Sequence, residues 1–180
     1  MHTLSERELY QALAYAKSID EEAGSNIIAK FQLEQTALAE TIFGIFPMVI
    51  AEQDQDMSYL FMDLCFDVLC VFQHAFGPLP SQDLMDFDWL EKQSMLLDAE
   101  LQSLVKDRDM DEKIRNKLQD RFLKRSIEDN PQIGLVNFMN AAIDDFASES
   151  PSRVPAIQTT QTMIFVVIRL FGNLYNHADK

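Results

Sequence analysis

The chain has 180 residues, of which 47% are hydrophobic and 24% charged, so it can bury a sizeable core and is not expected to be disordered. Its 29 acidic residues outnumber its 15 basic ones and give a net charge of −14. Such a surface disfavours binding to nucleic acid or to anionic membranes, because phosphate recognition needs clustered Lys and Arg.

Cysteine placement and the first residues predict where the protein resides. Cys65 and Cys70 are five positions apart, which on a helix turns their thiols about 140° away from each other, so they are poorly placed to bridge. Two buried free thiols are typical of a reducing compartment. The first ten residues contain neither the basic nor the apolar region of a secretory signal, and the most apolar stretch, 57–77, carries two Asp and one His. We therefore expect a cytoplasmic protein that does not enter a membrane.

Apolar residues recur at helical spacing along almost the whole chain. The first helix is predicted to follow a Ser5 cap and to stop at Gly24. The second helix is predicted to begin near Ser25 or Asn26 and to kink or end at Pro47, which lacks a backbone donor.

The remaining predicted helices are separated by breaker residues. The third covers Asp56–Phe76 and is closed by Gly77, and a fourth starts at a Ser81 cap. The others are a fifth helix that ends near Ser126, a sixth at about Gln132–Ala147, and a last one from about Pro155 to Tyr175 after a loop at 148–155.

These elements define the predicted fold class. We expect an all-α protein, with residues 1–180 forming one single-domain bundle of six to seven helices. Residues 163–168 are rich in β-branched side chains, but a lone strand would have no pairing partner, so this segment is predicted to be a buried part of the last helix.

Common catalytic and cofactor motifs are missing from the sequence. There is no glycine-rich phosphate loop, no G-x-S-x-G elbow and no H-E-x-x-H zinc helix. Residues 107–111 resemble the opening of a calcium loop, but Glu112 stands where Gly is needed and Leu118 where Glu is needed. The sequence thus leans away from an enzyme and predicts no cofactor.

A polar stripe runs along the third predicted helix and contains Asp56, Tyr59, Asp63, Asp67, Cys70 and His74. Two interpretations are open. The stripe either faces solvent or lines a buried cleft, in which Asp63 and Asp67 could share a cation of unknown identity. His74 lies about 10 Å along the axis from Asp67, too far to bind the same ion.

Arg169 is the single charged residue in a long apolar part of the last helix. If it is buried it needs an anion, so we hypothesise an ion pair with Asp63 or Asp67 between the third and last helices. The alternative is an Arg that extends to the surface.

Basic residues concentrate in 106–125, which holds eight basic and five acidic side chains and leaves a charge of −17 on the rest. Either this is a solvated helix stabilised by its own ion pairs, or it docks on an acidic partner or a second copy. In the second case the partner-binding candidates are Lys113, Arg115, Lys117, Arg121, Lys124 and Arg125.

Two functions from different classes are compatible with these patterns. The first is a non-catalytic interaction or regulatory protein, such as an adaptor, an inhibitor or an immunity-type protein, whose partner is another protein or a second copy in a homodimer. The alternative is a ligand- or metal-binding bundle whose polar site lies between the third and last helices and uses Asp63, Asp67, His74 and Arg169.

Overall fold

A computed structural model describes residues 1–81 and 132–178 of the chain. These two ranges contain helices and no strand, which confirms the predicted all-α bundle class. The fourth and fifth predicted helices and the six basic partner-binding candidates lie outside the described residues. Numbered in chain order, the helices are α1 Glu6–Ser18, α2 Glu21–Glu34, α3 Thr36–Glu40, a π-helix Thr41–Ile45, α4 Phe46–Ala51, α5 Gln55–Phe76, α6 Ile133–Ser148, a 3₁₀ helix Pro151–Ala156 and α7 Ile157–Ala178.

The first helix starts where the sequence predicts. The Ser5 hydroxyl accepts a hydrogen bond from the Glu8 backbone N–H at 3.4 Å, and the Glu8 carboxylate accepts one from the Ser5 backbone N–H at 2.8 Å. This reciprocal capping box satisfies two backbone donors at the helix start. The Ser5 hydroxyl, which also donates to the carboxylate, and the Ser5 backbone lower the pKa of Glu8 to about 2.

The predicted helix stop at Gly24 is wrong. Helix α1 already ends at Ser18, and Gly24 lies inside α2. The Asp20 carboxylate caps α2 by accepting a hydrogen bond from the Ala23 backbone N–H at 2.8 Å. An Asp cap followed by two Glu residues in the first turn is a strong start signal, because anions are favoured at a helix N-terminus, and it outweighs one glycine.

The second predicted helix is interrupted earlier than Pro47. Helix α2 ends at Gln35, whose side chain is buried and donates a hydrogen bond to the Pro80 carbonyl at 2.5 Å. The chain resumes as α3, and a π-helix over Thr41–Ile45 then leads into α4. Pro47 follows directly on the π-helix, and the wide turn on its N-terminal side accommodates the proline, so the helix continues to Ala51.

Helix α5 lies at the centre of the described part, as its apolar circumference predicts. The Asp54 carboxylate caps it by accepting a hydrogen bond from the Met57 backbone N–H at 2.9 Å. The helix ends at Gly77, whose φ of 91° is one that L-residues rarely adopt. Helices α1, α4 and α7 pack around it.

Aromatic rings join three helices in the core. The Phe171 ring of α7 lies 5.4 Å from Phe72 of α5 and 5.7 Å from Phe31 of α2, measured between centroids. The Tyr175 ring packs against Phe72, and its hydroxyl donates a hydrogen bond to the Gly77 carbonyl at 2.8 Å. Residues 163–168 are buried within α7, which confirms their assignment to a buried helix.

The predicted loop at 148–155 is largely a 3₁₀ helix, held in place by Arg153. The Arg153 guanidinium lies 3.8 Å from the centre of the Phe146 ring and donates a hydrogen bond to the Phe146 carbonyl at 2.9 Å. It also pairs with Asp56 and Glu149, each at 3.1 Å. These contacts attach the end of α6 to the beginning of α5.

Two helical stretches, Gln55–Phe76 and Pro151–His177, are long and apolar enough to cross a bilayer by length and composition. Half of each apolar window is buried inside the protein, and core helices of soluble proteins have the same property. The expectation that the protein stays out of membranes therefore remains a prediction.

Candidate functional site

The middle of the α5 polar stripe is covered by helix α1. Asp67 is 3% exposed, and its Oδ2 lies 2.5 Å from Lys17 Nζ. The Lys17 side chain remains 64% exposed, so the ammonium group reaches inward from the surface to a buried carboxylate. Burial raises the pKa of Asp67, the Lys17 ammonium opposes this rise, and the neighbouring Asp63 adds to it.

Lys17, and not the hypothesised Arg169, is the cation that the structure places on Asp67. Helical periodicity identifies the face on which a carboxylate lies, but it does not identify the neighbouring helix that covers this face.

The remaining stripe residues have ordinary packing roles. The exposed His74 ring stacks on Tyr15 of α1, with 4.7 Å between ring centroids and 26° between planes. Cys70 is buried, and burial, with a smaller contribution from Asp67, raises the pKa of its thiol to about 12. Asp56, Tyr59 and Asp63 are exposed, so the first half of the stripe faces solvent, whereas Asp67 and His74 in the second half contact α1.

Three of the four site candidates, Asp63, Asp67 and His74, do not converge on one vacant site. Asp67 pairs with Lys17 and His74 stacks on Tyr15, both on α1, whereas Asp63 is exposed beside Asp67 on the same stripe of α5. Within residues 1–81 and 132–178, no three His, Cys, Asp or Glu side chains are close enough together to hold a metal ion.

A groove opens between α2 and α5 on the side where Asp63 lies. Six residues of α2 line it, and their spacing of three and four places them on one helical face: Glu21, Gly24, Ser25, Ile28, Ala29 and Gln32. Three of these side chains are small, which leaves space beside α5. Helix α2 makes few contacts with α5, and a Cβ added at Gly24 would lie 3.4 Å from the Phe66 ring, so the helices approach each other at this end.

The opposite wall of the groove comes from α5 and the π-helix. It consists of Met62, Asp63 and Phe66 on α5 and Phe43 on the π-helix, while Ile19 and Asp20 close the end near the α1–α2 connection. The groove is shallow and open to solvent, and its volume is about 590 Å³. We call this feature, defined by these twelve residues, the α2–α5 groove.

The α2–α5 groove combines an apolar floor with an acidic edge. Ile28, Phe43, Met62 and Phe66 are all half-buried, so four large apolar side chains keep part of their surface open in one place. Asp20, Glu21 and Asp63 are exposed along the edge. Apolar and acidic side chains therefore lie next to each other in this groove.

Of the groove residues, the sequence interpretation named Asp63, but for a different role. The sequence also contains a pattern that indicates the groove. Gly24, Ser25 and Ala29 are small residues on the same face of one helix as Ile28. The wrong helix boundary at Gly24 divided this face between two elements and so concealed it.

Comparison with protein-family models, with curated proteins and with solved structures gives no match for this chain.

Proposed function

We propose that the protein is a non-catalytic interaction protein, of the adaptor, inhibitor or immunity type, that binds another protein through the α2–α5 groove. The observation that carries this proposal is the open apolar floor formed by Ile28, Phe43, Met62 and Phe66. Covering this floor removes apolar surface from water, which is the main driving force of protein association.

The chemistry of the groove supports binding more than catalysis. Its floor carries hydrocarbon, aromatic and thioether groups, and its carboxylates, Asp20, Glu21 and Asp63, are exposed along the edge, whereas catalytic carboxylates are typically placed in desolvated sites. The two thiols of the chain are free and buried, and burial raises the pKa of both, so they stay protonated and unreactive at neutral pH. Free buried thiols also support our assignment of the protein to the reducing cytoplasm.

The alternative function, a ligand or metal site between the third and last predicted helices, now has less support. Lys17 pairs with Asp67, His74 stacks on Tyr15 and Asp63 lines the α2–α5 groove, so these three candidates contact different neighbours. A buried carboxylate that already has an ammonium partner is a poor vacant ligand for a cation.

Native mass spectrometry of the untagged protein isolated from its own cells tests the proposal. The expected result is a complex whose mass equals this chain plus a second polypeptide. A bare monomer at the concentration found in the cells would contradict the proposal. A mass excess that matches a metal ion or a small molecule would support the alternative function instead.

A further inference from the structure

This inference rests on the proposed function and concerns the chemistry of the partner. We infer that the α2–α5 groove binds an amphipathic helix of a partner protein whose apolar stripe is flanked by Lys or Arg. The argument combines the length of the groove, its floor and the charge along its edge.

The α2 wall of the groove is as long as a helix of about three turns, whereas the α5 wall, Met62–Phe66, spans about one turn. The lining on α2 extends from Glu21 to Gln32, which is a rise of about 16 Å. Apolar residues at positions i, i+4, i+7 and i+11 of a docked helix cover the same length. Because both walls are themselves largely helical, side chains of a third helix can pack between their ridges.

Small side chains on one wall make room for large ones on the partner. The α2 wall carries the small residues Gly24, Ser25 and Ala29, so its side chains project little into the groove. The α5 wall carries the larger side chains of Met62 and Phe66. Large aliphatic residues of the partner fit this asymmetry, and the thioether of Met62 can adapt to their shape.

The charge along the edge favours a basic partner. Asp63 and Glu21 are exposed, and neither forms an ion pair within the part of the chain that the structure describes. Lys17, which lies against the next turn of α5, is already paired with Asp67. The net charge of the whole chain is −14. A partner helix with Lys or Arg beside its apolar stripe is therefore attracted, and an acidic partner helix is repelled.

The test uses the full chain and three synthetic peptides of about 18 residues, which corresponds to five helical turns. The first peptide has Leu at i, i+4, i+7 and i+11 and Lys flanking this stripe. The second keeps the stripe and replaces Lys with Glu. The third has the composition of the first in an order that destroys the stripe. Binding is measured by fluorescence anisotropy at about 0.15 M salt.

We expect the first peptide to bind at least about tenfold more tightly than the other two. Ala29→Arg places a long cationic side chain in the groove at an exposed helix position, and it should weaken binding of the first peptide by about tenfold or more. The matched control is Leu33→Arg, which makes the same charge change at an 84% exposed position of α2 outside the groove, and it should weaken binding less than about threefold. Thermal unfolding of each variant checks that it is folded.

Each other outcome refutes a defined part of the inference. Equal weakening by both Arg variants would mean that net charge alone attracts the peptide, and equal binding of the Glu peptide would mean that the edge charge plays no part. A dimer of the protein alone that Ala29→Arg dissociates would identify a second copy as the occupant. A natural partner that stays bound to Ala29→Arg in native mass spectrometry would refute the groove as its site and leave the proposed function intact, whereas the absence of any partner would refute the function itself.

Discussion

Removal of the Lys17 ammonium group should destabilise the protein more than the loss of an ordinary exposed cation would, although the Lys17 side chain is 64% exposed. Lys17→Met leaves the Asp67 carboxylate 3% exposed and without a counter-charge. An exposed ion pair contributes about 0–1 kcal/mol, whereas a buried acceptor that loses its partner costs about 1–3 kcal/mol. Because Lys17 is largely exposed and Asp67 is not, we expect the free energy of unfolding at pH 7 to fall by about 2 kcal/mol.

The pH dependence of this loss follows from the raised pKa of Asp67. Burial lifts it above its ordinary value of 3.8, and Lys17→Met removes the group that opposes this rise, so the folded-state pKa increases further. The folded protein then holds the proton more tightly than the unfolded chain does. Stability is therefore retained at low pH, where Asp67 is protonated in both states, and it is lost as the pH rises from about 4 through the folded-state pKa.

Two further variants separate the charge from other effects of the substitution. Asp67→Leu removes the buried charge and leaves Lys17 hydrated at the surface, so its free energy of unfolding should stay within about 1 kcal/mol of the wild type or increase. The double variant should resemble Asp67→Leu. Urea unfolding followed by far-ultraviolet circular dichroism between about pH 3 and pH 8 measures all four proteins. An equal loss for Lys17→Met at both ends of this range would refute the reasoning.

Three other predictions concern stability and reactivity. Cys65 and Cys70 are buried, and burial raises the pKa of both thiols. Iodoacetamide should therefore modify the folded protein at least about 100-fold more slowly than the urea-unfolded chain. Fast labelling of both cysteines in the folded protein, measured by mass spectrometry, would contradict this prediction. Gly77→Ala forces an L-residue to a φ of 91° and should cost about 1–3 kcal/mol in thermal unfolding, whereas the control Gly44→Ala, inside a helix, should be neutral or gain up to about 1 kcal/mol. Ser5→Ala removes the cap of α1 and should cost about 1 kcal/mol, and an unchanged melting temperature would show that α1 does not need its capping box.

The helices with strong boundary signals could be predicted from the sequence. Helix α5 was placed to within one residue, because Gly77 ends it and its apolar positions surround the axis. The boundary between α1 and α2 was misplaced, because Asp20 and Gly24 give competing signals four residues apart. The π-helix at Thr41–Ile45 has no signature in apolar periodicity, which describes ordinary turns.

The candidate site could be predicted only in part, because it depends on which helices become neighbours. Asp67 is predicted as a partner of Arg169 or as a cation ligand, but its partner is Lys17, which in the sequence looks like an ordinary cation in the last turn of α1. Asp63 was named for a shared cation site and instead lines a groove. The width of that groove depends on the separation of α2 and α5, a quantity that periodicity within either helix does not contain.

The π-helix has a consequence for how the chain can change in length during evolution. A wide turn of this kind is equivalent to one extra residue inserted into an α-helix. Deletion of one residue within Thr41–Ile45 would restore ordinary turns and keep α3 and α4 in phase, whereas a deletion within α5 would rotate every later side chain by about 100°. Phe43 belongs to this tolerant segment and to the wall of the α2–α5 groove. Groove shape can therefore diverge by a single-codon deletion that keeps the helices on either side in phase.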